Sequence, residues 1–512
     1  MKRIDMLRAV RARTEVDVLI VGGGINGVGT LRDLARQGVD TLLVERADFC
    51  SGASAASSRM AHGGIRYLEN GEFRLVREAV QERNRLIRNA PALVQPLPTT
   101  IPIFKWFSGL LNAPLKFLGW LEKPSERGAF IIKVGLMLYD AFTGGERQVP
   151  RHVFENRRRS LEKFPALNPG VAFTATYYDG LILSPERLTL QLLLDALDEG
   201  AHARALNYVS LTGIQAGAAT LRDETSGETW QVRPRLIINA AGPWIDPLNQ
   251  RLGLATRYIG PTKGSHLVLD NPELRRAIGE HEFFFENEDG RIVLIFPLFD
   301  KVMIGTSDLP INDPDSARCT GEEVDYFINM VARVFPGIRV EPAQIVFRFS
   351  GIRPLACTQA RNAGQITRDH HIREDRLGDL PVYSLVGGKW TSYRAFAEQV
   401  SDRALAFLDL SRRTDTRDLP IGPPAGQAAL KTSPDHTREE VARMAEQEMI
   451  VHLDDLLLRR TLLGYLGQLT LPRLRQLAGW LADALGWDEQ QQRDEMARAL
   501  ALLADRHQVI LR

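Results

Sequence analysis

The stretch VDVLIVGGGINGVGTLRDLARQGVDTLLVE, residues 16–45, decides the fold. Asp17 to Val21 reads as a short buried strand. Glycines and a helix through about Gln37 follow, and a second strand runs from Thr41 to Glu45. Strand, turn, helix and strand in this order open a doubly wound sheet. Gly22-x-Gly24-x-x-Gly27 sits where strand meets helix. The first glycine permits the tight turn, the second lets backbone approach a pyrophosphate, and the third lets helix pack on strand. The helix N-terminus offers unpaired N–H groups and a positive dipole end to phosphate oxygens. Glu45 ends the second strand close to the spacing at which an acid accepts from ribose hydroxyls. The unit predicts a dinucleotide site and does not choose between NAD and FAD.

Downstream, the small-residue run Ser51 to Ser58, with Ser54, Ser57 and Ser58, leads into Arg59-Met-Ala-His62-Gly63-Gly64. Small side chains let backbone lie against a flat ring system and its ribityl chain. The same composition also fits a flexible serine-rich loop. Phe73 to Asn89 predicts a long amphipathic helix, and proline-dense sequence from Pro91 to Pro102 marks a boundary. Leu181 to Glu199 reads as a helix begun near Ser184-Pro185. Arg235 to Asn239 reads as another buried strand, ended by the Ala240-Ala241-Gly242-Pro243 turn. Alternating apolar residues at His266 to Leu269, Arg291 to Phe296 and Val302 to Gly305 suggest antiparallel strands of a substrate-facing domain.

The chain of 512 residues is too long for one ordinary core. The expected division is a basic N-terminal extension (1–15) and a discontinuous nucleotide domain (16–100, 165–250 and 345–400). A substrate or cap domain (101–164 and 251–344) and, after the linker Thr414 to Pro434, a helical C-terminal domain (415–512) complete it. A net charge of +1 gives no electrostatic case for nucleic acid. Cys50, Cys319 and Cys357 are far apart and form no ligand spacing, so neither a zinc site nor a disulfide framework is expected. No uncharged apolar run approaches 18 residues, so no membrane-spanning helix is expected.

Five ordered blocks carry a family resemblance. SAASSRMAHGGIRYLENGEFRLVREAVQER (54–83), KGSH (263–266), SGIRPL (350–355), ITRD (366–369) and GGKWTSYR (387–394) resemble the signature stretches of FAD-dependent glycerol-3-phosphate dehydrogenases, over roughly Val16 to Phe396. The resemblance implies an α/β fold of the amino-acid-oxidase flavoprotein type: a Rossmann-like FAD-binding domain, an antiparallel-sheet substrate domain and a helical C-terminal domain. It implies FAD as cofactor, a quinone as acceptor, and oxidation of sn-glycerol 3-phosphate to dihydroxyacetone phosphate by hydride transfer to flavin. Another polyol phosphate, or an amine or amino acid oxidised on the same fold, is the alternative. Arg59 stands where the family has lysine, and Trp390 and Ser392 also depart from its pattern.

The resemblance puts Arg66, Tyr67, Arg353, Arg368 and Lys389 at the substrate. A phosphate needs cations with directional donors, which arginine's planar fork supplies. Lys389 is also expected to place positive charge beside the flavin carbonyl where reduction builds negative charge. Removing a hydroxyl proton near neutral pH calls for a histidine, and His266 is favoured as base over a purely hydrogen-bonding role. His62 is expected against the flavin. Gly242 resembles the turn that meets the cofactor's adenosine side, and Gly388, Trp390 and Thr391 complete the expected cofactor contacts. Ile101 to Tyr139, apolar and aromatic with interspersed lysines, is expected to lie on the inner face of the cell membrane without crossing it. Packing within the substrate domain or a homodimer interface is the alternative for this segment.

Overall fold

The computed structural model describes residues 2–65, 72–104, 129–143, 148–287, 291–357, 369–423 and 430–511. Its first sheet is built on Glu15–Val21. Across the sheet the strands run His371–Leu377, Leu380–Val386, Thr229–Asn239, Glu15–Val21, Thr41–Glu45 and Ala203–Asn207. From Leu380–Val386 onward every pairing is parallel, and His371–Leu377 joins antiparallel at the edge. Parallel strands covered on both faces must be apolar throughout, and Val18, Leu19 and Ile20 are fully buried. The glycine turn feeds the helix Ile25–Arg36, which packs against the helices Pro185–Leu197 and Tyr393–Leu408.

The second sheet is largely antiparallel. Its order is Leu309–Pro310, Thr262–Leu269, Lys301–Gly305, Ile292–Leu298, Glu282–Glu286, Val94–Ile103, Phe173–Ile182 and Met60–Ala61, with Ile345–Arg353 pairing Thr262–Leu269. The strands expected at His266, Arg291 and Val302 are all in it. Ser184 caps the helix Pro185–Leu197 by accepting from Arg187 N, so the helix begins after Leu181, which belongs to a strand.

The proline-dense stretch is not a boundary. Val94–Ile103 is a ten-residue strand in continuous register with Phe173–Ile182. Alternate residues of a strand aim their N–H groups to the same side. Pro96, Pro98 and Pro102 therefore remove donors from one side only, and Glu282–Glu286 joins the strand only at Thr99 and Thr100. As a consequence Met60–Ala61, Val94–Ile103, Phe173–Ile182 and Ile345–Arg353 join the second sheet, although they fall in the stretches expected to form the nucleotide domain. The N-terminal extension is likewise built in: Arg3–Ala12 is a helix that buries Met6, Leu7 and Val10, and Arg3 pairs with Asp223 at 3.0 Å.

Helices Arg438–Gln447, Leu471–Leu485 and Glu489–His507 form the C-terminal part, whose core is shared with Phe347 and Phe349 of the second sheet. An ionic cluster fastens it to the first sheet. Asp48, fully buried just beyond Glu45, accepts from Arg459 Nε at 2.6 Å and from Arg460 Nη1 and Nη2 at 2.6 and 2.9 Å. Burial raises the Asp48 carboxyl, but the two arginine charges outweigh it and hold it below the usual carboxylate range. No helix among the described residues is long and apolar enough to cross a membrane.

Glu282, fully buried beneath the second sheet, accepts from Thr99 Oγ1 at 2.9 Å, and burial pushes its carboxyl up to about 8. Between its ordinary value of 4.5 and about 8 the folded chain holds a proton that the unfolded chain has lost, so this group makes folding less favourable as pH rises through that window. Glu282→Gln keeps the shape without the titration. Its melting temperature relative to the parent should therefore be higher at pH 8 than at pH 5, as read by differential scanning fluorimetry. A difference that is constant with pH would contradict this.

Candidate active site

Both sheets and the C-terminal helices border one cavity of about 1600 Å³. Its lining includes Gly22, Gly24, Glu45 and the loop Ser51–Ser58, together with Gly242, Gly388, Lys389 and Trp390, and His266 and Arg353. Its size exceeds the roughly 300–1,000 Å³ of ordinary small-ligand pockets. The glycine turn explains how backbone reaches the cavity. A Cβ on Gly22, whose φ is +118°, would lie 2.5 Å from Ala240 O, and one on Gly27 would lie 1.9 Å from Gly22 O. Gly27 thus packs helix on strand, as its place in the motif requires, and stands behind the cavity wall.

The loop after the second strand is a set of built contacts. Ser54 Oγ accepts from Ile25 N at 3.0 Å and so occupies one donor of the helix N-terminus. Trp390 Nε1 donates to Ser54 O at 3.0 Å, and Thr391 Oγ1 to His62 O at 3.0 Å. Ser57 Oγ accepts from Arg59 N. Glu45 accepts from Gly23 N at 2.7 Å and Ala47 N at 2.9 Å, and burial raises its carboxyl. It thereby staples the glycine turn to the end of its strand while lining the cavity beside it.

His266 is buried on Thr262–Leu269. Its Nε2 lies 2.9 Å from Ser58 Oγ, and its ring stacks on Phe349 with centroids 4.9 Å apart. Burial first, then the charges of Arg353 and Arg59, push its pKa down to about 3, so the imidazole is neutral across the physiological range. Arg353 ends the adjacent strand Ile345–Arg353. Its Nη1 donates to Ser307 O at 3.0 Å and Asp308 Oδ1 at 2.9 Å, and its Nη2 to Thr306 Oγ1 at 2.9 Å. Arg59 is fully buried, donates to Leu183 O at 2.7 Å and lies over the Tyr465 ring at 4.4 Å.

The structure therefore brings Gly22, Gly24, Glu45, Ser54, Ser57, Ser58, His62, Gly242, Gly388, Lys389, Trp390, His266 and Arg353 around one cavity. Arg66, Tyr67 and Arg368 lie outside the described residues. Gly63 stands between His62 and Gly64, which line the cavity, and its N–H donates to Asp179 Oδ1 at 3.0 Å and Tyr139 OH at 3.1 Å. One expected placement is corrected. Tyr139, assigned by composition to a membrane-facing segment, is 2% exposed. Residues 105–128 of that segment lie outside the described residues. Sequence reading missed Asp179, whose signal was an acid inside the otherwise uncharged strand Phe173–Ile182, and Asp308, which anchors Arg353.

A family model described as FAD dependent oxidoreductase matches residues 17–403, and one described as C-terminal domain of alpha-glycerophosphate oxidase matches residues 393–492. A Synechocystis glycerol-3-phosphate dehydrogenase is 36% identical over 85% of this chain and 78% of its own length. A Brucella abortus D-erythritol 1-phosphate dehydrogenase is 31% identical over 81% of this chain and 78% of its own length. Among solved structures, a Bacillus halodurans glycerol-3-phosphate dehydrogenase complexed with FAD superposes with a TM-score of 0.72. That match is 22% identical and covers 99% of this chain and 98% of the other. FAD is thus the cofactor, and the glycine turn, the Ser54 loop and Trp390 are the residues that fit it. Gly24→Val would put a branched side chain against Ser54 Oγ, which lies 3.0 Å from a Cβ at this position, and into the cofactor's path. The variant should purify folded but with little flavin, read from the 450 nm to 280 nm absorbance ratio; full flavin content would exclude this turn as the site. By the match over residues 17–403 and the identity to its relatives, this chain belongs to the family of FAD-dependent oxidoreductases that includes the glycerol-3-phosphate dehydrogenases.

Proposed function

We propose that this chain oxidises sn-glycerol 3-phosphate, or a four-carbon polyol phosphate, to the corresponding ketone phosphate and passes the electrons to a quinone at a membrane surface. The observation that carries the reading is that Arg353, Lys389 and His266 border the same cavity as the dinucleotide turn. The relatives named above act on phosphorylated polyols, three-carbon and four-carbon, which supports this substrate class. FAD, when bound, supplies the hydride acceptor. Arg353, fixed by Asp308 and the Ser307 carbonyl, offers the directional cation that a phosphate requires. His266 takes the hydroxyl proton as the carbinol hydride departs. A phosphate dianion beside Arg353 offsets one of the charges that depress the imidazole pKa, so substrate binding itself makes the base stronger. Lys389 adds positive charge where the reduced ring accumulates negative charge. In this reading Arg66, Tyr67 and Arg368 complete the phosphate and carbinol contacts.

For the acceptor, the cavity lining includes the apolar Ile101, Ile132, Val134, Leu138 and Ile292. Val134 and Leu138 belong to the helix Ala129–Thr143, which also exposes Phe130 and Met137. Exposed apolar side chains on a helix that also lines the cavity support a lipid-soluble acceptor and contact with a membrane surface.

The test of the substrate is anaerobic. Glycerol 3-phosphate or erythritol 1-phosphate should bleach the flavin band at 450 nm, and the faster of the two identifies the substrate. Bleaching by glycine or proline, and by neither phosphate, would overturn the reading. For the acceptor, Phe130→Ser with Met137→Ser should leave reduction of a soluble dye unchanged while lowering quinone reduction in liposomes at least about fivefold. Equal loss of both activities would remove this face from the acceptor path.

A further inference from the structure

The loop His62–Gly64 is gripped from two sides. Thr391 Oγ1 donates to the His62 carbonyl on one side. On the other, the Gly63 N–H reaches Asp179 Oδ1 at 3.0 Å and Tyr139 OH at 3.1 Å, while Tyr139 OH donates to the same Asp179 oxygen at 2.6 Å. Arg83, fully buried on the helix Phe73–Asn89, closes the cluster. Its Nη1 donates to Tyr139 OH at 2.9 Å and Tyr178 O at 2.7 Å and lies 3.5 Å from Asp179 Oδ1. Its Nε and Nη2 are turned to Asn84 Oδ1.

Two separate elements thus converge on one peptide N–H, and a third supplies their counter-charge. The fit leaves no slack, because a Cβ on residue 63 would lie 2.1 Å from Tyr139 OH. His62 and Gly64, on either side of the gripped residue, line the cavity, and so does Asp179. A buried arginine and a buried aspartate cost several kcal/mol of desolvation when poorly paired. Shape alone does not require them here, since an apolar core holds the same two helices elsewhere, with Val76, Val80, Ile132 and Leu136 packed together. The polar cluster is therefore spent on a position, and that position is the Gly63 peptide.

We propose that Asp179 and Tyr139, with Arg83 as their counter-charge, are positioning residues that fix the His62–Gly64 backbone against the bound flavin. The inference rests on the reading of that loop as a flavin contact. Displacing a reacting arrangement by about 1 Å costs up to about 10²-fold in rate, while substrate binding elsewhere in the cavity is unaffected.

Tyr139→Phe removes one oxygen from the grip. In the flavin-loaded protein it should shift the visible absorption maximum of bound FAD. It should also slow anaerobic flavin reduction by saturating glycerol 3-phosphate about tenfold or more, with KM within about threefold of the parent. A spectrum and a reduction rate both like the parent's would overturn the proposal, whatever happens to the melting temperature. Should Tyr139→Phe not fold, Asp179→Asn keeps an acceptor for the Gly63 N–H and is judged by the same two readouts. The absorption maximum needs no substrate. If the parent itself is not bleached by a polyol phosphate, the substrate reading fails while the spectral comparison still decides this one.

Discussion

One steric constraint organises the molecule: at the tip of the strand Glu15–Val21, three pieces of backbone approach more closely than any side chain allows. Gly22 faces the carbonyl of Ala240, just past the end of the neighbouring strand, and Gly27 faces the carbonyl of Gly22 itself. That approach draws the helix Ile25–Arg36 onto the sheet and directs its first turn at the cavity. It also sets where Glu45 can staple the turn and where Ser54 can meet the helix end. The loop carrying Ser57, Ser58 and His62 follows from there, and Ser58 in turn meets His266 of the second sheet. Cavity-lining residues of the two sheets are thus linked by a short covalent and hydrogen-bonded path from one glycine turn.

Around this turn the protein manages buried charge by pairing. Arg83 with Asp179, and Arg459 and Arg460 with Asp48, each place cation and anion together away from water. Arg394 with Glu82 does the same between the helix Tyr393–Leu408 and the helix Phe73–Asn89, with contacts of 2.7 and 2.8 Å. Breaking such a pair on one side is expensive, of order 3–5 kcal/mol, because the remaining charge is stranded. His266 belongs to the same electrostatic scheme, since nearby cations and burial keep it neutral.

What could be read from the sequence was local. The first βαβ unit declared itself because strand periodicity, glycine spacing and the terminal acid fall within thirty residues. The antiparallel strands around His266 were legible for the same reason. The strand Val94–Ile103 was not, because prolines signal termination unless one knows that their side of the strand is largely unpaired. Arg83 and Arg459 resemble the solvent face of a helix when read in one dimension, and their partners lie far away in sequence. The candidate site divides along the same line. His266, Arg353 and Lys389 sit in motifs and were legible, whereas Asp308 and Asp179 act through neighbours that only the fold supplies.

The bond between Asp48 and Arg460 spans 412 positions of sequence, and this bears on how the protein is made. During synthesis, at about 5–20 residues per second, Asp48 leaves the ribosome 412 residues ahead of Arg460. The carboxylate of Asp48 then waits for its arginines while those residues are made. Until they arrive, Asn207, which donates to Asp48 Oδ1 at 3.0 Å, is a neutral partner that leaves its charge uncompensated. Closure of this buried pair therefore follows the synthesis of Arg460, and any chain that stops short of it lacks a cation that offsets the burial of Asp48.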